Sequence, residues 1–364
     1  MKISILIPTF NELKNIERLV SQLTFLSNKF EFEILFVDDD SPDGTSEKVM
    51  ELIKKHHHIR LIRRIGRVGL SSAIREGLLN SDSDIALVMD GDGQHDPAAI
   101  ESILEILLEN DLDLVVGSRF HPEARILGLS EKRELGSFLA NRSARFTLHR
   151  NYSHLTDYMS GFFALKLQPL TSLIRFVNVN GFKFLYELLA LSKGRLKVDE
   201  VPLVFNKRIH GNSKLDISIF WDFLISLLHT FSFRIIPRRA ISFALVGSSG
   251  VVVQLSITWI LMTFLEFDFI FALPIAIISA AISNYLINNA LTFRYKRLCG
   301  LSLFAGLLKF LIVASLPVIA NVGLSTALYK NVFQDVIWAQ MCGILVVFVW
   351  NYAASSAFVW NSPD

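Results

Sequence analysis

The sequence predicts two fold classes in one chain: an α/β domain with a parallel, helix-covered sheet, and after it an all-α transmembrane domain of four helices. Three observations carry this reading. From Met1 to about Lys214, short apolar, β-branched runs alternate with amphipathic stretches, the pattern of strands and crossover helices. The 36 Lys and Arg and 34 Asp and Glu of the 364 residues are unevenly placed, and only 9 of them lie in the last 125 positions. In that charge-poor third, four uncharged runs follow one another, each meeting the roughly 18–20 apolar residues a helix needs to cross a bilayer.

A mean hydropathy of +0.42 excludes a disordered chain. The formal charge of +2 gives no support to a nucleic-acid partner. Two cysteines, Cys299 and Cys342, are too few for a disulfide framework. The opening MKISILIPTF lacks the apolar run and cleavage site of a signal peptide and reads as a strand, so the first domain is expected in the cytoplasm.

In chain order, strands are expected at Ile3–Pro8, Phe32–Val37, Ile59–Ile62, Ile85–Met89 and Leu112–Val116. Helices are expected at Leu13–Leu26, Thr45–Lys55, Ser71–Leu79 and Pro97–Glu109, the last opened by proline at a first helical position. These fill an α/β domain over residues 1–215. Within the linker 216–239, the stretch Ile217–Phe233 puts Phe220, Leu224, Leu227, Leu228 and Phe231 on one helical face, with Ser218, Asp222, Ser226 and His229 opposite. Arg234, Arg238 and Arg239 follow at once, so this segment reads as a helix lying in the membrane interface against anionic lipid. The membrane domain takes residues 240–364, with spans at about 240–265, 269–293, 310–329 and 336–360. Arg238 and Arg239 precede the first span and Arg294, Lys296 and Arg297 follow the second, which puts both chain ends on the cytoplasmic side of a multi-pass protein. A shift of 67 positions lays Phe243 on Phe310, Asn284-Tyr285 on Asn351-Tyr352 and Phe293 on Trp360, so two copies of a two-helix hairpin are expected.

Ligands of parallel sheets sit beyond the carboxyl ends of the strands, and three of these strands end in Pro8-Thr9, Asp38-Asp39-Asp40 and Asp90-Gly91-Asp92. In extended backbone Asp90, Asp92 and Gln94 project to one side, where their hard oxygens suit Mg2+ or Mn2+ holding a substrate diphosphate. A bare turn is the plainer reading of Asp-Gly-Asp-Gly, but the second acidic cluster, Asp38 to Gly44, ends another strand and favours a site.

Together the segments IPTFNE (Ile7 to Glu12), VDDDSPDGT (Val37 to Thr45), DGDGQHDP (Asp90 to Pro97), GSR (Gly117 to Arg119) and RIHGNSK (Arg208 to Lys214) resemble the family 2 glycosyltransferases of GT-A fold, a Rossmann-like nucleotide-sugar domain. Within that superfamily the chain is similar to the polyprenyl-phosphate (dolichol-phosphate) mannose synthases, and its spans to the GtrA-like four-helix domain. The resemblance implies that Pro8, Phe10, Glu12, Val37 and Asp39 line the base and ribose pocket. It implies that Asp90, Asp92 and Gln94 hold the metal against the donor diphosphate with Gly91 close by, and that Arg208 and Lys214 are acceptor-loop cations closing over that diphosphate. Arg119, Arg133 and Ser137 would bind the acceptor phosphate, with Asp92, Arg119 and Arg208 the catalytic set. The reaction implied is inverting transfer of mannose from GDP-mannose to dolichyl phosphate at the lipid bilayer, with a divalent cation and no obligatory protein partner. A lipid phosphate is already an anionic nucleophile, so positioning replaces the general base that a sugar hydroxyl would need. One alternative keeps the chemistry and changes the donor to a UDP-glucose or UDP-aminosugar. A second, a lipid-linked sugar flippase, is disfavoured because the four spans hold no ionisable residue apart from Lys309 at an edge.

Overall fold

Strand by strand, the first half of the chain forms where its β-branched runs lie. The computed structural model describes residues 1–24, 26, 29–66, 69–127, 131–179, 183–207, 217–328, 345–346 and 348–361. They fall into two units, Met1–Phe231 and Ser232–Asp364. In the first, β1 (Lys2–Thr9), β2 (Glu31–Asp38), β3 (Ile59–Arg63), β4 (Ile85–Val88) and β5 (Leu114–Ser118) join β7 (Phe163–Lys166) and β8 (Val198–Pro202) in a seven-stranded sheet. The order is β3-β2-β1-β4-β7-β5-β8. A second small sheet pairs β6 (Arg125–Ile126) with β9 (Val204–Phe205).

The strands read as continuous apolar runs because both faces of the sheet are covered. Ile3, Ile5 and Ile7 point into one core with α1 (Leu13–Leu23), α2 (Thr45–Ile53) and α4 (Ala99–Glu109). The alternate residues, Leu6, Leu35 and Val37, enter a second core with α3 (Leu70–Leu79), α6 (Leu167–Phe176) and α7 (Phe184–Ser192). The sheet departs from the all-parallel expectation at β7, which runs antiparallel to β4 and β5. Its four residues, Phe-Ala-Leu-Lys, are too short a run to be read as a strand from periodicity. The consequence is functional: the chain leaving β5 must pass over the carboxyl end of the sheet before it returns through β7.

That excursion includes α5 (Glu131–Thr147), which leaves Leu135, Phe138, Leu139 and Phe146 exposed. The helix expected at the membrane interface forms as α8 (Ile217–Phe231). Its Ser226 hydroxyl donates to the buried Glu187 carboxylate of α7 at 2.5 Å, and Phe223 and Leu227 pack on the core, whereas Phe220 and Phe231 are exposed. The face carrying Ser226 therefore turns inward, because a buried carboxylate needs a donor.

In the second unit, α9 (Arg238–Phe264) and α10 (Phe269–Ile287) precede α11 (Leu301–Leu328). Among the described residues two helices, Arg238–Phe264 and Pro274–Thr292, are long and apolar enough to cross a membrane. α11 starts at Leu301 rather than near residue 310, since Lys309 sits on an exposed face inside the helix instead of bounding it. Much of the expected fourth span lies outside the described residues. Two π-helical turns, Asn288–Thr292 and Ser355–Val359, are separated by 67 positions, the offset at which the sequence matches itself. The Phe293 and Trp360 rings that follow them stack at 4.1 Å, and the Trp360 indole N–H donates to Asn289 at 3.0 Å.

Candidate active site

The two acidic strand ends meet at the carboxyl edge of the sheet because β2 and β4 flank β1. At the end of β2, Asp38 is wholly buried and accepts from Thr9 Oγ1, Ser46 Oγ, and both the N–H and the hydroxyl of Ser41, so it builds the loop rather than waiting for a ligand. Asp39 is also buried, and its oxygens take the Arg64 guanidinium at 2.6 Å and the Gly69 N–H at 2.7 Å. Burial raises its carboxyl above the usual range more strongly than Gly69 and Arg64 lower it. Glu12 lies across this loop, receiving Asn15 Nδ2 at 2.6 Å while its own N–H donates to Thr45 Oγ1. Pro8 and Val37 pair in register on β1 and β2, and Phe10 follows half-buried. Val37 is fully buried in the core, so its main chain, not its side chain, is what it can offer to a ligand.

Beyond β4 the chain does not stay extended. Residues 91–93 turn, with Gly93 at φ +74°, and Asp92 accepts the Gln94 N–H at 3.0 Å. The side-chain alternation expected for Asp90, Asp92 and Gln94 is thus replaced by a turn. His95, buried against Phe162 and Phe205, accepts the Asp90 N–H on Nδ1 at 3.1 Å and puts Nε2 3.7 Å from the Asp90 carboxylate. Gln94 and Asn206 exchange two hydrogen bonds, of 2.8 and 3.0 Å. Asn206 is thereby held at the acidic turn; Arg208 and Lys214, two and eight residues further along the chain, lie outside the described residues.

At the end of β5, Arg119 binds Asp157 in a bidentate pair of 2.6 and 3.0 Å. Asp157 has no exposed side-chain surface, and also accepts the Met159 N–H. Burial alone would raise its carboxyl, but the Arg119 charge and these donors hold it below the usual carboxylate range. Asn141 of α5 reaches the same carboxylate at 3.4 Å and donates to the Ser137 carbonyl. Arg133, Ser137 and Asn141 occupy one stripe of α5 at spacings of four, and Asn141 is the member of it that reaches the Asp157 carboxylate; the Arg133 side chain lies outside the described residues.

Gly161 bears on Asp90. A Cβ there would lie 2.8 Å from Oδ2 and 2.9 Å from Oδ1, so the glycine leaves the room that the carboxylate occupies. Asp157 and Asn141 escape the sequence reading, and His95 and Gly161 fall in segments to which it assigns no role for them.

The fold and this site define a glycosyltransferase. Residues 4–171 match glycosyl transferase family 2, and residues 242–360 match the GtrA/DPMS transmembrane domain. The chain belongs to the family of the dolichol-phosphate mannosyltransferases: it is 32% identical to that of Pyrococcus furiosus over 360 residues, 99% of each chain. It is 31% identical to that of Saccharomyces cerevisiae over 66% of this chain and 91% of the yeast protein. In fold it is similar to glucosyl-3-phosphoglycerate synthase from Mycobacterium tuberculosis, solved with Mn2+, UDP and glucosyl-3-phosphoglycerate, with a TM-score of 0.50 and 20% identity over 64% of this chain and 80% of that one.

Proposed function

We propose that the protein transfers mannose from GDP-mannose to dolichyl (polyprenyl) phosphate with inversion, giving dolichyl β-D-mannosyl phosphate. The carrying observation is that one segment before β7 bears on both arms of the site, Asp157 on Arg119 and Gly161 on Asp90, in a chain matched end to end by a dolichol-phosphate mannosyltransferase. Pro8, Phe10, Glu12, Asp39 and the Val37 main chain take the nucleoside. Asp90 and Asp92, with Gly91 between them and the Gln94 side-chain oxygen beside them, are hard donors suited to Mg2+ or Mn2+, and Gly161 leaves room for the Asp90 carboxylate in the position it takes. When bound, the cation offsets the charge that develops on the departing diphosphate. Arg208 and Lys214, which follow in sequence the Asn206 bound by Gln94, add to this.

Arg119, Arg133 and Ser137 hold the lipid phosphate, whose oxygen displaces GDP without a general base. Residues 1–215 do the chemistry, 216–239 rest on the bilayer, and 240–364 cross it four times as two hairpin repeats. Both chain ends and the active site then face the cytoplasm, and no protein partner is required. The exposed Phe220 and Phe231 on α8 support the interfacial assignment.

A donor panel tests this reading. Full-length protein is given GDP-mannose, UDP-glucose or UDP-GlcNAc, a polyprenyl phosphate in vesicles, and Mg2+ or Mn2+. Transfer from GDP-mannose alone is expected; preference for a UDP-sugar would overturn the choice of donor.

A further inference from the structure

Lys183 is a cation that the reaction outlined above leaves without a task. It immediately precedes α7, and its neighbour Phe184 stacks on Phe163 of β7 with the rings parallel at 6.0 Å. Phe163 pairs in register with Val88 on one side and Val116 on the other. This stacking therefore holds Lys183 beside the strand that separates the two arms of the site, one leading from β4 to Asp90 and the other from β5 to Arg119.

The surroundings agree with the topology. Lys183 is half-buried, and Arg119, Asp157 and Asp90 are the charges close enough to act on it. Burial and the Arg119 guanidinium push its ammonium down to about 8, against the opposing pull of Asp157 and Asp90. Among the described residues no hydrogen bond or ion pair satisfies that ammonium. Arg119, in contrast, already has a buried carboxylate in bidentate contact. A desolvated cation without a partner is costly unless an anion arrives to share its site.

We propose that Lys183 binds the phosphate of the acceptor, completing with Arg119 the cationic cradle that holds the nucleophile beside the acidic turn. The inference rests on the mannosyl-transfer reading for the identity of that phosphate. Asp157 sets the division of labour: it neutralises and orients Arg119, so Arg119 supplies directed N–H donors while Lys183 supplies the net charge. The donor's nucleoside is assigned to β1 and β2, two and three strands from β7, and is not expected to sense Lys183.

The test uses full-length protein carrying Lys183→Met, close in length but uncharged, and Lys183→Arg, which keeps the charge. With GDP-mannose and a polyprenyl phosphate, Lys183→Met should raise the acceptor KM by at least about tenfold and leave the donor KM within about twofold. Lys183→Arg should recover most of the loss, which a purely structural role would not predict. Binding of geranyl phosphate without any donor is measured in parallel by calorimetry, and Lys183→Met should weaken it by a similar factor. An unchanged acceptor KM and unchanged geranyl phosphate binding, or a rise confined to the donor KM, would overturn the proposal. If wild-type protein binds geranyl phosphate through Lys183 but transfers no mannose to lipid, the fault lies with the reaction assigned above and not with this site.

Discussion

Gly161 is a position where a single methyl group reports on the chemistry. Its Cβ would press on both oxygens of Asp90, whose carboxylate can swing away because it is partly exposed. Gly161→Ala should therefore lower kcat by between about ten- and a hundredfold while the thermal midpoint barely moves, the signature of a misplaced reacting group in an intact fold. Asp92 gives a sharper contrast. Its side chain accepts the Gln94 N–H, a bond that Asp92→Asn can keep through the amide oxygen while losing the charge. Transfer should fall by at least about a hundredfold with folding retained, and near-normal turnover at saturating Mg2+ or Mn2+ would remove Asp92 from the metal site. Asp90, Asp92 and Arg119 are legible in the sequence because each sits in a compact motif at a strand end. Their supports are not. Asp157 meets Arg119 from 38 residues away, and His95, though inside the same motif as Asp90, gives no sign in the sequence that its ring takes the Asp90 N–H.

At the scale of elements, what periodicity exposes is the part of the sheet made by long crossovers, and what it hides is the part made by short returns. β1 to β5 announce themselves as β-branched runs between amphipathic helices. β7 is four residues long and antiparallel, and it is what sends the chain over the site. The Arg119–Asp157 pair then ties the outgoing end of that excursion to its return, with Asn141 of α5 joined to the same carboxylate. Removing the carboxylate leaves a largely buried guanidinium without its counter-charge. Asp157→Asn should cost about 3–5 kcal/mol of stability, read as a lowered thermal midpoint for the catalytic unit in detergent. The sign with pH follows from the direction of the shift. Asp157 is held below its ordinary carboxylate value in the fold, so its contribution is complete above about pH 4 and is lost as pH falls through the lower folded value. Wild type and Asp157→Asn should accordingly converge in midpoint under strongly acid conditions, and a gap that stayed constant down to that range would argue against the ion pair as its source.

At the scale of the whole molecule, the charge asymmetry that divides the sequence becomes a division of labour that truncation can measure. Both hydrophobic cores of the first unit are closed by residues that precede Phe231, and every candidate site residue lies at or before Lys214. A chain ending at Arg239 therefore keeps its cores and its site, and should transfer mannose to a short, water-soluble prenyl phosphate with kcat/KM close to that of the full chain. The long lipid acceptor is a different problem, because it never leaves the bilayer. A membrane domain that keeps the enzyme beside it turns a search in three dimensions into one on a surface, and tethering of this kind raises effective concentration by about 10²–10⁴. Transfer to a long polyprenyl phosphate in vesicles should drop by about a hundredfold or more on truncation. Adding vesicles with anionic lipid should recover part of it, since α8 and the arginines at 234, 238 and 239 remain in the shortened chain. Equal losses on the soluble and the membrane acceptor would mean that the helices beyond Arg239 complete the site itself, and the tethering role would have to be abandoned.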